Sequence, residues 1–488
     1  MDDGLPLSLQ ADLKKYFLEK MGLQFSGVRE KDLVRGLKLI VQEMQFTDLE
    51  AGAEWLLTTP MTPALMETIS CHLTIGETYF FRDPPYFDIL EKKILPNLLY
   101  SEFNTDRRLR VWSAGCSTGE EAYSLAISIS KVFPDLKSLD LTLLATDING
   151  KSLAQLRKGS YREWSFRNAK SEIKEQYFDR DAENNYLVKP FIKKMVTANY
   201  LNLAVDKYPS LENNTNAMNV IFCRNVLMYL SPEKAGIVVK QLTDCLAPGG
   251  WLVVSACECG QPYFNQLKTV TFSNLTFYQK DVCELARSDD VLFRIDVASL
   301  RNLSSDHKAV RVAEIKPQLN EPEDIYKTAI SLYEQGQYEK VIAYIENLSE
   351  KKLSDTKVIE MLARSHANVG QLEVAKKCCE KAIKLAKDDV HIYYLYALIL
   401  EELGLFDEAL IIFKQILYLD RGFILAHYNL GQISKHFGRD KESSKHFSNA
   451  KSLAMRFEPE QIIPESEGIT AKRLIEVIES SQDKKIHE

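Results

Sequence analysis

The sequence predicts a multidomain chain, α/β in its centre plus all-α at both ends, and three observations predict it. With 488 residues the chain is too long for a single hydrophobic core. From about residue 110 onward, short β-rich runs alternate with helical stretches, which is the pattern of a mainly parallel sheet covered by helices. Beyond residue 322 the sequence repeats itself, with glycines at 336, 370, 404 and 438, each 34 residues after the last.

Residues 1–75 read as a small helical module. Apolar positions such as Leu33, Leu37, Ile40 and Val41 recur at helical spacing there, without the alternation of a strand. A basic cluster in this module, Arg29, Lys31, Arg35 and Lys38, reads as a solvated helix face. The α/β domain is expected over 76–299. Its strands are the runs RVWSAG, LTLLATDI, MNVIFCRN and WLVVSA, and its helices include Glu120 to Val132 and Pro232 to Leu246. LTFYQKDV and VLFRIDV follow one another without a long helix between them, so they are expected to close the sheet as an antiparallel edge hairpin. Within the domain, residues 161–195 contain the alternating run NYLVKPFIKKMV, expected to form a small β-subdomain. Residues 300–321 have little periodicity and read as a linker.

The repeat has more than glycines in common. Ala329, Ala363, Ala397 and Gly431 lie seven residues before each glycine, and Val341, Ala375, Ala409 and Ser443 five residues after. Small side chains at such positions let paired helices cross closely. The period resembles the tetratricopeptide repeat, two antiparallel helices per unit, although the usual boundary proline is missing. Four units, 322–457, would stack as an α-solenoid. Residues 458–488 would supply a capping helix, Ala471 to Ser480, and a frayed tail.

Composition narrows the function classes. A formal net charge of −7 argues against a nucleic-acid partner, since phosphate neutralisation needs clustered Lys and Arg. Apolar runs fall short of the roughly 18 residues of a spanning helix, so no membrane insertion is expected. The acidic start lacks the pattern of a secretory leader, which leads to the expectation of a cytoplasmic protein. Nine scattered cysteines read as reduced thiols. The pairs Cys257/Cys259 and Cys378/Cys379 lack a second ligand pair at metal spacing, so no metal is expected.

RVWSAGCSTGEEAYSLAI runs from a strand through a turn with Gly115 and Gly119 into a helix. Such a turn lets backbone approach a ligand, though many α/β proteins have one for a tight connection alone. Asp147 ends the next strand, 32 residues after Gly115, where nucleotide-binding sheets hydrogen-bond a ribose. The turn lacks GxGxxG, and Glu120 and Glu121 would repel a pyrophosphate. A ligand with an ammonium or sulfonium would be attracted, and S-adenosylmethionine meets these requirements. Residues 73–306 contain no histidine, which disfavours chemistry that needs an imidazole base. A glutamate carboxylate acting as methyl acceptor needs none, being ionised near neutral pH.

Four runs, TIGETYFFRD (74–83), SAGCSTGEEAYS (113–124), ATDIN (145–149) and FCRNVLMYL (222–230), resemble in order and spacing the CheR-type chemotaxis receptor methyltransferases of bacteria, over about residues 10–296. The resemblance implies a Rossmann-like class I methyltransferase domain that uses S-adenosylmethionine, yields S-adenosylhomocysteine, and esterifies glutamates on the cytoplasmic domains of methyl-accepting chemotaxis-type receptors. It implies catalytic roles for Arg82 and Tyr229, with Gly76, Thr78 and Arg82 at the methionine end of the cofactor. Gly115 would lie in the turn, Glu121 on the ammonium, Asp147 on the ribose, and Asn202 and Leu203 at the adenine. Cys223, Arg224 and Asn225 would end a strand at the cofactor edge, with Cys223 and Tyr229 alternatively read as core packing.

The sequence departs from the family twice. Gly76 stands where the family commonly has asparagine, and Ser255-Ala256-Cys257-Glu258 replaces a glycine-histidine-serine-glutamate segment. The insert docks receptor tails in the family, and the repeat face is expected to take an unidentified protein or peptide. Alternative readings are a cofactor-binding scaffold or a methyltransferase of another protein or small-acid substrate. Deletion of 322–488 is expected to leave the catalytic half intact, on the view that repeats bury their faces chiefly against each other.

Overall fold

The structure, a computed structural model, describes residues 5–99, 107–136, 139–272, 274–281, 322–334, 336–348, 355–459, 461–466 and 469–482. The linker expected at 300–321, the run VLFRIDV and the tail DKKIHE lie outside the described residues.

Four helices open the chain: α1 (Leu7–Met21), α2 (Glu30–Glu43), α3 (Leu49–Thr58) and α4 (Pro63–Leu73). Asp48 and Thr62 cap α3 and α4 through their side-chain oxygens, satisfying N–H groups that the first turn leaves unpaired. The apolar stripe of α2 does not close on the other helices alone. It belongs to one core with Trp112, Ile221 and Leu252 of the central sheet. Lys31, Arg35 and Lys38 are exposed as expected, but Arg29 is half-buried against Tyr229, which corrects its reading as a solvated residue.

After α5 (Pro84–Ile89) and α6 (Leu95–Leu99) come β1 (Arg108–Ala114), α7 (Glu120–Val132), β2 (Asp140–Asp147) and α8 (Gly150–Lys158). An insert follows with β3 (Ser160–Tyr161), α9 (Ser171–Tyr177), β4 (Phe178–Arg180), β5 (Tyr186–Val188) and α10 (Pro190–Lys193). The domain ends with β6 (Val196–Tyr200), β7 (Met218–Phe222), α11 (Pro232–Cys245), β8 (Leu246–Val253), β9 (Lys268–Phe272) and β10 (Leu275–Gln279). Seven strands form one sheet in the order β6-β2-β1-β7-β8-β10-β9, and a separate three-stranded sheet, β3-β5-β4, forms the insert. The first five strands of the large sheet are parallel; β10 runs antiparallel to both β8 and β9. This corrects the expected hairpin. LTFYQ is β10, but its partner is the preceding run KTVTF, with Asn274 at φ 70° in the connection. Both edges of β10 are therefore taken.

Eight helices make four antiparallel pairs: α12 (Pro322–Glu334) with α13 (Tyr338–Glu346), α14 (Thr356–Asn368) with α15 (Leu372–Leu385), α16 (Val390–Glu402) with α17 (Phe406–Leu419), and α18 (Ile424–His436) with α19 (Asp440–Ala454). The repeating glycines have φ between 69° and 86°, a left-handed turn that ends the first helix of each pair and that a side chain disfavours. Ala329, Ala363 and Ala397 are fully buried between helices. A final helix, α20 (Ala471–Gln482), covers the last pair with Ala471, Leu474 and Ile478. No helix among the described residues is long and apolar enough to cross a membrane.

The array does not hang free of the α/β domain. Glu402, at the end of α16, meets two arginines at the start of β1: Arg110 at 2.7 Å, and Arg108. Arg110 is 1% exposed, and its guanidinium also donates to the carbonyls of Asn214 and Asn216, each at 3.0 Å. Burial pushes its pKa down to about 10 despite Glu402. On α20, the Arg473 guanidinium lies 5.6 Å from the ring centre of Tyr200 at the end of β6. The expectation that deleting 322–488 would leave the catalytic half untouched is thereby corrected, because it would expose Arg110 without its carboxylate.

Removing one partner of a buried pair is costly, since the remaining charge keeps its desolvation penalty. Glu402→Ala is expected to destabilise docking of the array by about 3 kcal/mol, read as a lower urea midpoint. An unchanged midpoint would mean that the pair does not hold the two parts together.

Candidate active site

At the carboxyl end of the parallel strands two adjoining pockets meet at Gly115, Ser117 and Asn225. The larger contains Gly76, Asp147, Asn202, Leu203 and Tyr229. The smaller contains Thr78, Arg82, Glu121 and Arg224. Every residue expected at the site therefore lines one pocket or both, except Cys223, which is fully buried in the core and lines neither.

Local sequence explains the shape. After β1 the chain turns at Gly115, φ 80°, and a Cβ there would lie 2.4 Å from Val226, so the Val226 side chain can lie against this turn only if the residue is glycine. Ser117 N–H then donates to Asp147 at 2.8 Å, and Asn149 N–H donates to its other oxygen at 2.8 Å. Burial raises the Asp147 pKa, and these backbone donors oppose the rise.

The segment 74–83 crosses the site as an irregular strap, and aromatic side chains pin it. Phe80 is fully buried, stacked on Phe166 at 4.6 Å and edge-on to Tyr161 and Phe178 of the insert. Phe81 N–H donates to Ser124 of α7 at 2.9 Å. With the aromatics fixed, Thr78 and Arg82 are held at the smaller pocket. Arg82 donates to the Glu77 carbonyl at 2.9 Å.

Arg224 ties these parts together. Its buried guanidinium donates to the Arg82 carbonyl at 3.0 Å, pairs with Asp83, and lies 3.4 Å from Glu121. Tyr86 covers it, with the guanidinium 4.7 Å from its ring centre. Glu121 in turn accepts from Ser113 at 2.7 Å. Burial raises the Glu121 pKa, while Arg224, Ser113 and Arg82 pull it back; a cation bound beside it would favour the charged form further. Its neighbour Glu120 is buried but turned to the insert, accepting from Ser165 at 3.0 Å.

Two further residues organise the site and were not assigned roles from the sequence. Glu258, 3% exposed, accepts from the N–H groups of Asn225, Val226 and Met228 at 2.9, 2.8 and 3.2 Å, and from Ser255 N–H at 3.0 Å. It fixes the loop that carries Tyr229. Arg29 lies 4.7 Å from the centre of the Tyr229 ring and donates to the Tyr229 carbonyl at 3.1 Å. Burial raises the Tyr229 pKa, and Arg29 and Arg82 oppose that. Asn202 spends its amide on the Lys20 carbonyl and the Ala204 N–H, both at 3.1 Å, so it joins α1 to the pocket wall.

The residues fit a nucleoside cofactor with a cationic tail. Asp147 suits ribose hydroxyls, Glu121 an ammonium, and Asn225 holds a buried side-chain oxygen without a partner among the described residues. These features define a class: an open α/β sheet with an S-adenosylmethionine site at its carboxyl edge.

Comparison with known proteins agrees. Residues 76–274 match the family model "CheR methyltransferase, SAM binding domain", and 356–389 and 390–423 match the tetratricopeptide repeat model. The chain is 35% identical over 199 residues to chemotaxis protein methyltransferase 1 of Pseudomonas aeruginosa, covering 40% of this chain and 70% of that relative. It is 30% identical over 227 residues to a chemotaxis protein methyltransferase of Borreliella burgdorferi, covering 46% and 75%. A crystal structure of MamA is similar at 19% identity, over 28% of this chain and 80% of that one, with a TM-score of 0.27, too low to carry an argument. The chain belongs to the chemotaxis protein methyltransferase family and adds tetratricopeptide repeats at its C-terminal side.

Asp147→Asn keeps the side-chain volume but removes the charge. Charge-assisted bonds to ribose are worth roughly 1.5–3 kcal/mol each, so the Kd for S-adenosylhomocysteine should rise at least about tenfold. Calorimetry giving wild-type affinity would remove Asp147 from the cofactor site.

Proposed function

We propose that the chain transfers a methyl group from S-adenosylmethionine to glutamate side chains on the cytoplasmic domains of chemotaxis-type receptors, forming esters. The observation that carries this reading is the charge layout of the smaller pocket. Arg82 faces a buried anionic wall formed by Glu121, and neither pocket has a histidine among its described residues. The bound cofactor supplies an electrophilic methyl on a sulfonium. A carboxylate acceptor, already ionised, would take that methyl without giving up a proton, so the chain needs no base.

The chain's residues then have positioning tasks. The Arg82 guanidinium binds and orients the incoming carboxylate, and the Tyr229 hydroxyl, at the larger pocket, helps to place it in line with the methyl. Glu258 and Arg29 hold Tyr229 in place from behind. Excluding water strengthens the attraction between acceptor anion and sulfonium, and in-line placement of the reacting atoms supplies the remaining acceleration. Cytoplasmic receptor domains as substrates place the reaction in the cytoplasm.

Incubation with radiolabelled cofactor and receptor cytoplasmic domains should give label released as methanol in mild base. Arg82→Ala and Tyr229→Phe should each lower kcat by about tenfold or more with little change in cofactor affinity. Base-stable label, or full kcat in both variants at saturating cofactor, would contradict the proposal.

A further inference from the structure

In the last helix pair of the array two histidines face each other at positions that are apolar contacts in the earlier pairs. At the 34-residue step His427 of α18 corresponds to Ile325, Ile359 and Tyr393, and His446 of α19 to Tyr344, Cys378 and Ile412. In each earlier pair the two counterparts belong to one apolar cluster. The last pair keeps the contact and changes its chemistry.

The helices cross closely there. Gly431 stands where the other pairs have alanine, and a Cβ on it would lie 2.7 Å from the Phe447 ring. Ser443 donates to the Gly431 carbonyl at 2.8 Å. The two imidazoles meet through their Nδ1 atoms, 3.1 Å apart, and both rings are half-buried. His427 also hydrogen-bonds the Arg421 backbone, the kind of outer contact that orients ligating histidines. Burial and the neighbouring His446 push the His427 pKa down to about 4, and burial lowers that of His446. Both rings are therefore neutral near pH 7, the form that binds a metal.

Polar rings at a position otherwise built for apolar contact carry a desolvation cost unless they are satisfied. Two neutral Nδ1 atoms can share one proton, or they can share a metal ion. Bonds of roughly 2.0–2.1 Å from zinc to imidazole nitrogen set two coordinated nitrogens about 2.9–3.4 Å apart, for angles from square to tetrahedral. The observed separation falls in that range. Glu442, one turn before His446 on the same face of α19, pairs with Lys414 at 3.7 Å. Among the described residues no three such groups are preassembled, so Glu442 must turn from Lys414 to reach the ion. Lys414 is 56% exposed, and an exposed pair of this kind costs little to break.

We propose that His427, His446 and Glu442 bind a divalent transition-metal ion of the zinc type, with water completing its shell, and so clasp α18 to α19. Imidazole with carboxylate suits such ions. The cysteine spacing behind the expectation of no metal does not bear on these two histidines.

The test titrates Zn²⁺ into the reduced full chain against a chromophoric chelator. His427→Ile/His446→Ile restores the apolar contact of the earlier pairs and should fold, yet bind one zinc equivalent fewer than wild type. Zinc should raise the array's melting temperature in wild type and not in this variant. Glu442→Gln should weaken binding of that equivalent by at least about tenfold. In wild type, zinc should also protect His427 and His446, but not the exposed His436, from diethyl pyrocarbonate, read by mass spectrometry without any variant. An unchanged zinc count in the double variant, or equal modification of both histidines with and without zinc, overturns the proposal and leaves the pair as a hydrogen bond. Wild-type zinc affinity in Glu442→Gln overturns the three-ligand site.

Discussion

The catalytic half depends on one buried cation. Arg224 joins its own strand end to two segments far from it in sequence: the strap, at the Arg82 carbonyl and the Asp83 carboxylate, and the first turn of α7 at Glu121. An unpaired guanidinium in that position would carry a large desolvation cost, so the strap, the strand end and the helix can adopt their native places only together. The pocket is a product of that requirement. Glu121 stays at the smaller pocket, where it also serves as a counter-ion to Arg224, and Arg82 stays there because its own carbonyl is held by Arg224.

A second buried arginine does the equivalent work between the domains. Arg110 lies at the opposite end of the same β1 that delivers Ser113 and Gly115 to the pockets, and its carboxylate partner comes from the array. Buried ion pairs of this kind add little net stability over an apolar contact, yet they strongly penalise arrangements that leave one charge alone. The array is thereby held in register with the sheet.

Much of the fold was legible because its signals are local. The 34-residue glycine step marks a left-handed turn that recurs in every pair, and the strand-turn-helix around Gly115 and the acidic end of β2 both come to line one pocket. What was not legible rests on contacts between distant segments. Arg29 stacks on Tyr229 across 200 residues and looks like any surface arginine in a basic cluster. Glu402 occupies an ordinary helix-end position, and no periodicity distinguishes it from a solvated acid. Cys223 was placed with its neighbours Arg224 and Asn225, but strand alternation turns it into the core. The sequence points to the wrong pair of runs for the hairpin because Lys268 to Phe272 is rich in threonine and lacks the apolar character that marks the other strands.

Titrating S-adenosylhomocysteine into Arg224→Lys in a calorimeter tests whether Arg224 assembles the pocket. Lysine keeps the charge but lacks the planar fork that spans Arg82, Asp83 and Glu121. Affinity should fall by about tenfold or more, equivalent to at least about 1.4 kcal/mol, with the repeat array's melting unchanged. Affinity within about twofold of wild type would contradict that role.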